Sequence, residues 1–404
     1  MNKRDPPVIQ AIEPAFTENS QNKRRETITA FLYIFIAFYP LSVELKNCSS
    51  LFWTNLKDVA LFRVSKGKPV PVPFQIDEKR NGNYRMDWIL KAGDWIGDAL
   101  EKGDLYISED DELLFYKESL GEKSYFKGIR GCEIEVGGKF LYLLESKRGK
   151  TVQKNGRYNR EKRVFEGRYF SIGFTDLSHP TNLNFLKIKD GSNIIDRLRI
   201  KLNLPIFGRW KFFKTEEDFS GNITGYKEGP LRSFIKQKLG LEITSGGNLF
   251  SHETFIEIYE DAVKIPLKFY IPEVFTSASS ELIITIDFNE KIDGSILEVE
   301  NSKVKCLIDG KTSEFEKPIN GLEAPGWFRI RGKGKDFLVI LKEEREINKK
   351  FFYDEERREF GWSIKLTEGG NYPLYIILLK AEGTGRINTS FLFDKPQGTV
   401  KNLE

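Results

Sequence analysis

From Leu282 onward the chain is cut into short apolar runs separated by turn residues, and this punctuation constrains the fold more than any other feature. Leu282 to Phe288, Ile296 to Glu300 and Lys303 to Ile308 are rich in apolar residues, with Asp293-Gly294 and Asp309-Gly310 between them. Trp327 to Ile330, Phe337 to Leu341, Trp362 to Leu366, Tyr372 to Leu379 and Ile387 to Phe393 continue the series. Runs this short suit strands better than helices, and strands at regular spacing with Gly and Asp turns predict a β-sandwich. No internal repeat at a fixed period is visible, which argues against a solenoid or propeller.

A second patterned stretch runs from Val70 to Tyr116. Val70, Val72, Phe74 and Ile76 alternate with Pro71, Pro73, Gln75 and Asp77, a period of two that predicts an extended strand with one buried face. Its prolines cannot donate to a ladder, so the strand belongs at a sheet edge. Glu112 to Tyr116 reads as a buried partner strand. Between the two, Trp88, Ala92, Trp95, Ile96, Ala99 and Leu100 recur at helical spacing and predict one short helix. Further on, Cys132 to Val136 and Phe140 to Leu144 flank Gly137-Gly138, a two-residue hairpin turn. Asn184 to Ile188, Leu198 to Leu204, Phe255 to Tyr259 and Val263 to Tyr270 are further strands. The hydrophilic run from Ser146 to Arg163 marks a boundary. The expected organisation is therefore all-β, with two β-sandwich-like domains at 44–160 and 161–404.

Residues 1–43 form a separate unit, a polar tail followed by a signal peptide or membrane anchor. Lys23-Arg24-Arg25 precedes Thr27 to Val43, seventeen residues without a charge. A basic flank before a short apolar run is the pattern of a secretory signal, and it is at the short end for a membrane span. The basic flank held inside places everything after Val43 outside the cytoplasm. Cys48-Ser49-Ser50 is the nearest small-residue cleavage site. Cleavage there removes Cys48 and leaves Cys132 and Cys306 to pair in an oxidising compartment.

Composition excludes several functions. The formal charge is +4 over 404 residues, so no broad basic field marks a nucleic-acid partner. Two histidines and three cysteines argue against multi-His or multi-Cys metal centres. No phosphate loop, dinucleotide fingerprint or nucleophile elbow is present, and no cofactor is implied. Calcium is the one candidate ion: Asp104, Glu109, Asp110, Asp111 and Glu112 form an acidic cluster, Asp77 and Glu78 end the partner strand, and such hard oxygen ligands suit it. The alternative is a solvated turn whose carboxylates cap amides. Asn289 to Glu300 also has calcium-loop offsets, but Lys291 stands where an acid is required, so a hairpin turn is expected there.

Around Gly229-Pro230, Tyr226, Lys227 and Arg232 offer a base and a carboxylate-neutralising cation, the groups that β-elimination on an acidic sugar needs. The plainer reading, a turn with a cation on an edge strand, is the favoured one. Trp88, Trp95, Trp210 and Trp327 are candidates for stacking on sugar rings or, in the plainer reading, for core packing. His252 in a polar segment is a further binding candidate.

Val72-Pro-Phe-Gln-Ile-Asp77, Asp111-Glu-Leu-Leu-Phe115 and Tyr226-Lys-Glu-Gly-Pro-Leu-Arg232 together resemble exported bacterial β-sandwich proteins, some of them similar to sugar-processing lyases. The resemblance implies an envelope location and structural motifs. The expected function is an extracytoplasmic, non-catalytic binding or structural protein whose partners are glycan or envelope components, touching membrane only through its N-terminal segment. The alternatives are a lyase acting on an acidic glycan and a scaffold subunit of a surface complex.

Overall fold

A computed structural model describes residues 40–81, 83–89, 105–146, 154–206, 210–244, 247–332, 334–381 and 398–403, with backbone alone at 88–89, 206, 210–211, 242–244 and 247–251. Its regular structure is β-strand, with single 3-10 turns between strands and no longer helix among the described residues. The expected helix from Trp88 to Leu100 lies mostly outside the described residues. Its first two positions, Trp88–Ile89, are instead a strand that pairs with Gly225 and Tyr226. No helix among the described residues is long and apolar enough to cross a membrane.

The N-terminal core is a small sandwich. One sheet orders Leu41–Glu44, Glu112–Phe115 and Phe74–Asp77. The other orders Gly398–Asn402, Gly131–Val136, Lys139–Glu145, Val59–Ser65 and Lys68–Pro71. Their inner faces share one apolar cluster, including Val43, Ile76, Leu113, Phe115, Leu61, Ile134, Leu143 and Val400. The chain therefore returns at Gly398–Asn402 to close the N-terminal sheet rather than ending in the second core. The Pro-Val-Pro-Val-Pro run is two strands, not one. Lys68–Pro71 edges the five-stranded sheet, and Phe74–Asp77 edges the three-stranded one. The prolines allow this because the chain changes sheets where no ladder donor is needed.

Leu41–Glu44 and Cys48 belong to this core. Leu41 pairs with Phe115 and Glu44 with Glu112, and Cys48 is bonded to Cys132 with a Cα–Cα distance of 5.7 Å. The expected Cys132–Cys306 pair is not formed: Cys306 is a free thiol inside the main core. The two cysteines sit in different cores, so no bond between them can form without unfolding one. Cleavage after Ser50 would delete a paired strand and half of the disulfide.

The main core is larger. A ten-stranded sheet runs Lys305–Leu307, Ile296–Val299, Trp327–Gly332, Lys335–Glu343, Gly370–Lys380, Ala262–Ile271, Gly247–Tyr259, Arg232–Thr244, Phe219–Lys227 and Trp88–Ile89. A five-stranded sheet orders Trp210–Thr215, Ile195–Ile206, Glu281–Phe288, Glu359–Lys365 and Lys349–Asp354. A four-stranded one orders Gly156–Asn159, Val164–Gly167, Phe170–Gly173 and Phe185–Ile188. All three bury side chains in one continuous cluster. Phe328, Leu374, Ile376 and Leu378 enter it from the ten-stranded sheet, Ile284, Phe288 and Trp362 from the five-stranded one, and Phe165 and Phe170 from the four-stranded one.

Asn289 to Glu300 is not a hairpin turn. It carries the chain from the five-stranded sheet to the ten-stranded one through the 3-10 turn Glu290–Ile292, and Asp293 is held by the Arg358 guanidinium at 2.6 and 2.8 Å. Gly137-Gly138 does close its hairpin, with both residues at positive φ (58° and 74°) as such a turn demands. Ile387 to Phe393 lies outside the described residues.

Candidate functional site

The strand Phe74–Asp77 presents Ile76 to the N-terminal core, so Gln75 and Asp77 must point the other way. That other side is the second core, not solvent. Gln75 Oε1 accepts from the Leu231 and Arg232 backbone N–H groups at 2.8 and 3.0 Å, and its amide donates to Arg232 O and Asp77 Oδ1. A Cβ on Gly229 would meet this amide at 2.4 Å, which explains glycine there.

Arg232 sits at the centre of the joint. Its guanidinium reaches Asp77 Oδ2 at 2.6 and 3.0 Å, Glu112 Oε2 at 2.6 Å and Glu257 Oε2 at 3.5 Å. Lys227 lies 3.1 Å from Asp77, an ion pair too bent to be a hydrogen bond. Lys79 lies 3.1 Å from Glu112 and Lys264 2.9 Å from Glu257. Tyr84 donates to Glu112 at 2.8 Å, and Tyr259 donates to Glu257. Burial alone would lift the Asp77 carboxyl, but Lys227, Arg232 and the Gln75 amide outweigh it and hold the group below its ordinary value. Burial is likewise outweighed at Glu112 by Arg232 and Lys79, and at Glu257 by Lys264 and Arg232.

This arrangement accounts for four of the expected site residues, Asp77, Glu112, Lys227 and Arg232. Asp77 and Glu112 converge on a guanidinium, not on a metal, and no group of three metal-ligating side chains occurs among the described residues. Asp111 accepts from the Lys79 and Ser108 amides at 2.9 and 2.8 Å, and Asp110 from the Asn81 amide at 3.1 Å. Asp104 and Trp95 lie outside the described residues. Tyr226 and Lys227 are neighbours in one strand and therefore face opposite sides of the sheet. Tyr226 packs on the main core beside Tyr158 and takes hydrogen bonds from Arg160, whereas Lys227 faces Asp77. The two cannot serve one reacting centre with Arg232. His252 lines a cavity of about 50 Å³ inside the main sandwich, with Leu198, Ile256 and Leu267, and burial depresses its basicity. Trp88 and Trp210 are strand positions whose side chains are not described. Trp327 is half-buried against an apolar cluster of the ten-stranded sheet.

Sequence reasoning missed the cleft beside this joint. Phe52, Trp53, Tyr106, Ile107, Arg80, Arg85 and Glu109 help to line an opening of about 510 Å³, within the ~300–1,000 Å³ of small-ligand sites. Two chain segments make its wall: Trp53 N–H donates to Ile107 O, Ile107 N–H to Thr54 O and Leu56 N–H to Leu105 O. Trp53 is 80% exposed and Tyr106 44%. Trp53 and Leu105 both hold φ of 66°, a left-handed conformation that bulky residues rarely adopt. Three of the carboxylates at the cleft are turned toward backbone amides: Asp110, Asp111 and Glu78, the last accepting from Leu105 N–H at 2.8 Å. A lone tryptophan outside any periodic run gives no signal in the sequence.

No family model matches the chain, and no curated protein matches it. Among solved structures it is similar to an alpha-mannosidase from Enterococcus faecalis V583, at 9% identity and a TM-score of 0.49, over 91% of this chain and 44% of that one. The chain thus spans less than half of that structure's length, and a likeness at this level carries no assignment.

Proposed function

We propose that the protein is an exported, non-catalytic binding module of the cell envelope that takes a glycan into the Trp53–Tyr106 cleft. The observation that carries this reading is Trp53. A left-handed φ costs of order 1–3 kcal/mol at a non-glycine residue, and the indole is left 80% exposed, so the fold recovers neither cost by packing. Such outliers collect at ligand sites. An aromatic face beside polar rim groups suits the C–H face and hydroxyls of a sugar ring. The Cys48–Cys132 bond supports an oxidising compartment, and with it export. The opposed faces of Tyr226 and Lys227 favour binding over elimination chemistry.

Binding of the purified chain to an oligosaccharide array tests this reading. Trp53→Ala is expected to weaken the bound glycans at least about tenfold while leaving the unfolding midpoint nearly unchanged. An array without hits, or an unaffected Trp53→Ala variant, refutes it.

A further inference from the structure

We infer that the glycan is acidic, and that Arg85 holds its carboxylate; this rests on the cleft being the glycan site. Arg85 is 8% exposed and lines the cleft. Its backbone N–H is used, donating to Glu78 O at 2.9 Å, but its guanidinium has no acidic partner among the described residues. The two other buried arginines among the described residues are paired. Arg329, 2% exposed, meets both oxygens of Asp336 at 2.7 Å, and Arg232 meets three carboxylates. An arginine that opens onto a cleft and has no counter-ion among the described residues is placed to take its charge partner from a ligand.

The neighbouring acids do not meet this need. Asp111 accepts two backbone amides, Asp110 one, and Glu78 the Leu105 amide. Lys79 is taken by Glu112. The lining as a whole carries Lys79, Arg80 and Arg85 against Glu78, Glu109, Asp110 and Asp111, so a carboxylate is drawn by the local Arg85 fork and not by a positive field. The planar fork of Arg85 suits a two-oxygen acceptor, the geometry of a uronate carboxylate. A sulfate ester offers similar oxygens, so the test separates the two.

Calorimetric titration of the full chain with three probes decides the matter: an oligogalacturonate, the same oligomer with its carboxyl groups reduced, and a sulfated oligosaccharide of like length. The uronate should bind at least about tenfold tighter than its reduced counterpart, and Arg85→Gln should abolish that preference. Arg85→Lys should restore part of it, and high salt should shrink it in the unaltered chain, a readout that needs no variant to fold. Equal binding of the acidic and reduced oligomers overturns the inference and leaves the glycan reading standing. Stronger binding of the sulfated probe overturns the carboxylate assignment. Binding that ignores Trp53→Ala as well overturns the cleft itself.

Discussion

Replacing Arg232 with methionine should destabilise the protein by about 3 kcal/mol at neutral pH, the lower end of the roughly 3–5 kcal/mol that removing one partner of a buried ion cluster costs. Methionine keeps an apolar stem against Phe234 and Tyr84, whose ring centroids lie 4.7 and 5.1 Å from the guanidinium carbon, so the change isolates the charge. The lower end applies because Asp77, Glu112 and Glu257 each keep a lysine at 3.1, 3.1 and 2.9 Å. Urea unfolding at constant slope reads the loss as a lower midpoint. Its pH dependence identifies the cause. All three carboxyls titrate below their ordinary values in the folded chain, so the stability they confer is present above the unfolded pKa of about 4 and lost as pH falls through the folded values. Without Arg232, burial pushes the same groups upward, and protonation then relieves the variant. The gap between the two proteins should therefore be full at neutral pH and narrow in acid. A loss under about 1 kcal/mol, or a gap that stays constant into acid, refutes the charge argument.

Three further outcomes follow from the buried groups. Reduction of Cys48–Cys132, which are 84 residues apart in sequence, should cost roughly 4 kcal/mol, measured as the unfolding midpoint with and without reductant. Thiol titration of the denatured, unreduced protein should find Cys306 alone, and peptide mapping that places Cys306 in a disulfide would contradict the fold. Glu355→Gln should leave stability unchanged or raise it at neutral pH. Burial lifts the Glu355 carboxyl above its ordinary value despite the Gly310 and Asp309 amides it accepts, so ionisation costs nothing below the unfolded pKa, costs more as pH rises toward the folded one, and costs its full amount above that. The advantage of the glutamine variant should vanish as pH falls, and a neutral-pH loss larger than the acid one would reverse the assignment.

The fold class is legible because the strands of the main core are short apolar runs set between turn residues. Leu282 to Phe288 and Tyr372 to Leu379 need only that pattern, and both lie within observed strands, Glu281–Phe288 and Gly370–Lys380. What alternation does not give is pairing. Asp293-Gly294 looks like a hairpin turn in sequence, yet its flanking strands belong to different sheets. Nor does it show that Gly398–Asn402 closes the N-terminal sheet, since that contact spans most of the chain. The disulfide is hidden for the same reason. Cys48 falls just after an apolar segment and looks expendable, but Leu41–Glu44 is the strand that places it against Cys132.

The site is hidden by an assumption built into alternation itself, that the polar face of an amphipathic strand meets water. On Phe74–Asp77 the polar face meets a second core, and Gln75 and Asp77 are 5% and 0% exposed. Once both faces are buried, the polar residues must find partners in the other body, and the turn that leads into Arg232 supplies them. Asp77 and Glu112, which look like calcium ligands, and Lys227 and Arg232, which look catalytic, are two halves of that one joint. Chemistry-bearing residues that satisfy one another are a poor guide to a ligand site. The better guide is a group that the described residues leave without a partner, and Trp53 and Arg85 fit that description while carrying no motif at all.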